Sequence, residues 1–169
     1  MSSKAFEALV DECFGRLAEP VDAVERRVAQ VFADRRVIVW EGDAQTFEFT
    51  YVSSAAEELL GYPASRWTTE PTFWADVVVA PADRGDAIAY CALATTKRRH
   101  HAFDYRAHAA DGRVVWLRDY VRVIVGPRGI ATTLRGLMFD VTGERTAADA
   151  DQGPTFRAPS LAELAAIVS

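Results

Sequence analysis

The sequence predicts an α+β domain, a five-stranded antiparallel sheet with helices on one face. Three observations predict it. Residues 36–41 are a β-branched run and residues 47–51 alternate apolar and polar side chains, both read as strands. Residues 54–98 change to helical spacing, interrupted at Gly61, Pro63 and Pro71. Residues 101–142 return to strand patterning, cut by Asp111-Gly112 and by Gly126-Pro127-Arg128-Gly129, which are turn signals. Two strands, a block of helices and three further strands give the segregated order of an α+β fold.

Taken in order, residues 4–33 read as two amphipathic helices parted by Pro20. Phe6, Leu9, Val10, Cys13, Phe14 and Leu17 make the first apolar stripe. Val21, Val24, Val28 and Val31 make a heptad-like seam in the second. Such helices either lie on the sheet of their own domain or pair with a second copy, and the two can coexist. Strands over 36–41 and 46–52 form a hairpin through Gly42-Asp43-Ala44-Gln45. Ser54 with Glu57 three residues on reads as a capping box for a helix over 54–60, with Ala56, Leu59 and Leu60 on its apolar face. Gly61 stops that helix because glycine accepts the left-handed conformation, and Pro63 prevents a restart. Residues 61–71 read as irregular, Trp67 among them, and 73–78 as a short helix. Pro81 opens a longer helix over 81–98 that buries Ala87, Ile88, Cys91, Leu93 and Ala94. Its last turn runs into Lys97-Arg98-Arg99, cations that complement the helix dipole and remain solvated. Strands over 101–109, 113–125 and 130–142 complete the sheet.

Bulk properties bound the function. A chain of 169 residues supports one core with short flanking elements. The net charge of −5 and pI near 5.2 disfavour a nucleic-acid or anionic-membrane surface. No apolar run approaches the roughly 20 residues needed to span a bilayer. The N-terminus is amphipathic and carries Glu7, Asp11 and Glu12, unlike a signal peptide. Cys13 and Cys91 give no disulfide framework or metal spacing, so a cytoplasmic location is expected.

The run Phe47-Glu-Phe-Thr-Tyr-Val-Ser-Ser-Ala-Ala-Glu-Glu-Leu-Leu-Gly-Tyr-Pro63 resembles the second strand and following helix of a PAS domain of the sensor-kinase type. Phe73-Trp74 through Asp83-Arg84, Phe103-Asp104-Tyr105-Arg106 with Asp111-Gly112 and Val115-Trp116-Leu117-Arg118, and Leu137 through Arg145 are similar to further segments of that family. They occur in the right order and cover roughly residues 36–146. Where the family often has His-Pro-Asp-Asp-Arg, this chain has Ala80-Pro81-Ala82-Asp83-Arg84. The resemblance implies three parts: an N-terminal helical cap over 1–35, a PAS domain over 36–146, and a linker with the start of an output helix over 147–169.

It also implies a sensor with a cavity between sheet and helices. Phe49, Leu59, Leu60, Trp67, Phe73, Trp74, Val77, Ile88, Cys91, Phe103 and Tyr105 are the candidate walls, or else a filled aromatic core. Arg106 and Arg118 are the candidate contacts for an anionic ligand. The cysteine motif of flavin photoreceptors is absent, and Cys91 sits on a buried helix face. Non-covalent flavin or another small molecule remains compatible. Haem is disfavoured, because the long helix lacks a histidine: His100, His101 and His108 lie beyond it. No glycine phosphate loop, serine elbow or zinc motif appears, so the chain reads as non-enzymatic. Asp140 and Thr142 match the junction where a PAS sheet hands over to an output element. Residues 149–155 have linker composition. Pro159-Ser160 then opens a helix with Leu161, Leu164, Ala165 and Val168 on one face. That helix is similar both to the run before the phosphoacceptor histidine of sensor kinases and to the first helix of some helix-turn-helix domains. It is scarcely complete where the chain stops, which points to further chain beyond. The expected role is input to a signalling protein such as a two-component sensor kinase, homodimeric through the N-terminal helices and the outer sheet face. The alternative is a ligand-free module for dimerisation or partner docking.

Overall fold

A computed structural model describes residues 2–146, 149 and 152–168. Helices α1 (Ser3–Phe14) and α2 (Val21–Val31) precede the hairpin β1 (Val37–Asp43) and β2 (Phe49–Val52). Then come α3 (Ala55–Leu60), α4 (Ala64–Thr69), a π-turn (Trp74–Val78) and α5 (Pro81–Thr96). Strands β3 (His101–His108), β4 (Val114–Val125) and β5 (Ala131–Asp140) follow, then a short 3₁₀ turn (Thr142–Glu144), β6 (Thr155–Ala158) and α6 (Leu161–Ala166). All pairings are antiparallel in the order β2-β1-β5-β4-β3-β6.

The sheet has six strands rather than five. The sixth comes from the stretch expected to be linker: Thr155–Ala158 pairs with the outer edge of β3. Of that expected linker, residues 147–148 and 150–151 lie outside the described residues. The C-terminal helix forms with the Ser160–Glu163 capping box, then folds back. Leu164 is buried in the main core, whereas Leu161 and Val168 are exposed, so the expected apolar face is not realised. Tyr90 holds the returning segment by donating to the Pro159 carbonyl at 2.8 Å and stacking on Phe156 at 4.3 Å.

Period-two alternation sends each strand's residues to two layers. The inner face carries Ile38, Trp40, Phe103, Tyr105, Leu117, Val121, Leu134 and Met138 toward α3–α5. The outer face carries Val37, Val39, Trp116, Tyr120, Leu137 and Phe139 toward α1 and α2 of the same chain. Phe6, Phe32, Tyr120 and Phe139 form an aromatic cluster that seats these helices, with centroid spacings of 5.0–6.2 Å. The outer face of the sheet is thus covered by the chain's own N-terminal helices.

Two local expectations change. Ser54 makes no side-chain cap; Ser53 instead accepts from the Val39 N–H at 2.9 Å and ties the start of α3 to β1. Residues 64–69, read as irregular, form α4, which places Trp67 in the core. Gly61 ends α3 at φ +86°, as its sequence position predicts.

Candidate functional site

Between the inner face and the helices lies a cavity of about 650 Å³, open at one rim. That lies within the range of small-molecule sites, roughly 300–1,000 Å³. Its floor is the sheet, with Trp40, Phe103, Asp119, Val121 and Leu134; its walls are Phe49 on β2, Trp67 to Trp74 around α4 and the π-turn, and Ile88, Cys91 and Ala92 on α5. Phe49 centres the aromatic wall, at 4.9 Å from Trp40, 5.5 Å from Trp67 and 6.3 Å from Trp74. Two rim residues, Phe47 at φ +62° and Thr72 at φ +59°, hold a left-handed backbone that non-glycine residues seldom adopt.

Asp119 is the polar centre of this space. It is 1% exposed and stands on the inner phase of β4, between Leu117 and Val121. Trp40 Nε1–H donates to its Oδ1 at 3.0 Å and the Tyr105 hydroxyl to its Oδ2 at 3.1 Å; Trp74 Nε1–H donates to Tyr105 at 3.0 Å. Burial pushes the Asp119 carboxyl up to about 7, although both hydrogen bonds pull the other way. Gly136 makes this reach workable. A Cβ there would lie 2.1 Å from Trp40 Nε1, so only glycine lets the indole lie across β5 to Asp119.

Of the expected walls, Phe49, Trp67, Phe73, Trp74, Ile88, Cys91 and Phe103 line the cavity. Ile88 does so from its edge, at 42% exposure, rather than from the buried face of α5. Leu59, Leu60 and Val77 do not line it, and Tyr105 acts one layer behind through its hydroxyl. Arg106 and Arg118 are not cavity groups. Arg106 grips the buried Asp83 from β3, and Arg118 pairs with Asp104 on the outer layer. The sequence reading missed Trp40, Asp119 and Gly136. Asp119 had a signal, an acid at the centre of the apolar phase Val115, Leu117, Val121, Val123.

A second recess, of about 880 Å³, is a groove between α2, β1 and α3 with mixed polar walls that include Arg35, Arg36 and Glu58. It reaches the junction residues Asp140 and Thr142. Asp140 Oδ1 accepts from the Thr142 amide at 2.9 Å and its hydroxyl at 2.6 Å. The Thr142 hydroxyl oxygen accepts from the Trp116 amide at 3.0 Å, and the Val141 amide donates to the Trp116 carbonyl at 2.8 Å. The junction is thus tied to β4, three residues from Asp119.

A model of the PAS fold matches residues 49–138. The chain belongs to the PAS family. Solved PAS structures agree with its topology. The N-terminal domain of a diguanylate cyclase with PAS/PAC sensor from Marinobacter aquaeolei superposes with TM-score 0.60 at 34% identity, covering 64% of this chain and 97% of that one. A sensory box histidine kinase/response regulator from Burkholderia thailandensis gives 0.58 at 19%, with 73% and 91% covered. A domain of a putative light and redox sensing histidine kinase from Haloarcula marismortui gives 0.52 at 21%, with 69% and 99% covered. The latter two share the fold alone. No curated protein matches the chain.

Among the described residues the cavity lining offers no counter-charge to the prosthetic groups weighed from sequence. No Lys, Arg or His lines it among the described residues, so a flavin phosphate or haem propionates meet no cation and haem no imidazole. Burial pushes the Cys91 thiol up to about 12.

Proposed function

We propose that this PAS domain is a non-catalytic sensory input module that holds a small molecule against β4 and passes the state of the cavity to the Asp140–Thr142 junction. The observation that carries the reading is the aromatic cavity with a carboxyl at its floor that has no cationic partner among the described residues. Such a group is costly to bury and serves no ion pair among the described residues. The route outward is short. Asp119 faces the cavity from the strand whose Trp116 amide and carbonyl hold Thr142 and Val141 on the other side. The effector would be reached beyond the docked β6–α6 segment; a cyclase or a histidine kinase is the class its solved relatives suggest. A cytoplasmic setting goes with this reading, since both cysteines are free.

The chain's four tryptophans supply the test, since Trp40, Trp67 and Trp74 line the cavity and Trp116 lies on the outer face. Aromatic fragments of each charge class (benzylamine, benzyl alcohol, benzoate) are titrated while indole N–H signals are followed by NMR. At least one fragment should move the three cavity indoles and the Val141 and Thr142 amides while leaving the Trp116 indole in place. If none does, or if Trp116 moves equally, the cavity is not a ligand site.

A further inference from the structure

The charge pattern of the cavity identifies the chemistry of its occupant, and this step rests on reading the cavity as a ligand site. Three aspartates are essentially fully buried: Asp83, Asp104 and Asp119. Asp83 is held by Arg106, and Asp104 by Arg118 and Arg145. Asp119 has no cationic partner among the described residues, and it is the one that lines the cavity. An ionised carboxylate offers about four acceptor positions, of which the indole of Trp40 and the hydroxyl of Tyr105 take two.

The remaining charged residues along the lining are Asp43, Glu48 and Glu70, of which Glu70 is neutralised by Arg66, and no basic residue lines it among the described residues. Arg66 on α4 stays outside: it bridges Glu70 at 2.5 and 3.0 Å and lies over the Phe73 ring at 4.6 Å. Acidic walls with aromatic faces attract cations through both the net field and the ring quadrupoles.

We propose that the cavity selects an organic cation, with an ammonium or amidinium group seated at Asp119 and its carbon skeleton against the rings of Trp40, Phe49 and Trp74.

The protonation balance agrees with that assignment. The titratable groups facing Asp119 are the Tyr105 hydroxyl from β3 and the Cys91 thiol from α5, and burial keeps both protonated. Trp40 from β1 is neutral. A bound cation supplies the missing positive charge, so the carboxyl gives up its proton to solvent as the cation enters. Trp67 adds one further feature: its buried indole N–H has no acceptor among the described residues, and an acceptor on the ligand would satisfy it.

The test is calorimetric titration of the whole chain with benzylamine, benzyl alcohol and benzoate, which share a ring and differ in charge. Benzylamine should bind on the order of tenfold more tightly than benzyl alcohol, the difference one desolvated cation–π and carboxylate contact supplies, and benzoate should bind least. Asp119→Asn should abolish the preference while the neutral probe still binds. On the unaltered chain, benzylamine affinity should rise from pH 6 to pH 8 as Asp119 ionises, and benzyl alcohol affinity should not. Equal affinity for amine and alcohol, with the cavity indoles still shifting, overturns cation selection and leaves the ligand site intact. Tightest binding of benzoate overturns the assignment of charge. Silence of all three probes overturns the ligand site and this proposal with it.

Discussion

Asp104 and Asp119 are equally buried, 1% exposed each, on neighbouring antiparallel strands, yet the molecule treats them in opposite ways. Asp104 faces the outer layer and gathers guanidinium groups: Arg118 bidentate at 2.9 and 3.1 Å, Arg145 from beyond the junction, and Arg157 from β6 at 3.9 Å. Arg145 also lies over the Trp116 ring at 4.2 Å. Asp119 faces the cavity and, among the described residues, receives only neutral donors. A buried carboxylate surrounded by arginines is a fastener, and here it fastens the C-terminal segment to the sheet. A buried carboxyl left without a counter-charge has its pKa raised by desolvation.

The largest effect should come from breaking the fastener. Asp104→Ala leaves the guanidiniums of Arg118 and Arg145 buried without their anion, and should lower unfolding free energy by about 3 kcal/mol or more in urea denaturation. It should also release β6, seen as faster amide exchange over 155–158. A loss below about 1 kcal/mol, typical of a surface ion pair, would erase the contrast between the two aspartates.

The next effect sharpens the other side. Because burial raises the folded-state pKa of Asp119 above its ordinary value, the protonated form favours the fold. That contribution is fully present below about pH 4 and is lost as pH rises through about 7. Between pH 5 and pH 7 the unaltered chain should therefore lose about 2 kcal/mol relative to Asp119→Asn, whose stability lacks this slope. Parallel curves across that window would mean that Asp119 is already ionised.

Much of this contrast is legible in the sequence, and the remainder is not for identifiable reasons. Apolar, β-branched runs cut by turn signals place β1 and β3–β5 to within a few residues. Phe49, Trp67, Phe73, Trp74 and Phe103 are readable as a cavity wall because large rings between sheet and helices have no other place to go. Asp119 was readable in principle as a break in the phase of β4, but phase alone does not say whether the sheet's other face, or an arginine, relieves it. The dependence of Trp40 on Gly136 requires the β1–β5 register, which pairs residues 96 positions apart. The sixth strand has no local signal. Thr155–Ala158 is four residues beside a proline, and only long-range pairing with β3 and the stacking of Phe156 on Tyr90 make it a strand. The same long-range dependence misplaced Arg106 and Arg118, whose partners Asp83 and Asp104 lie 23 and 14 residues away.

The central claim is that Asp119 is a buried carboxyl without a counter-charge. Its most direct test is the side-chain carboxyl ¹³C shift of Asp119 followed by NMR across pH 3–9, assigned with Asp119→Asn. The account predicts a titration midpoint near 7 in the free protein that falls when benzylamine is added. A midpoint near the ordinary aspartate value of about 4, unmoved by the amine, would contradict it.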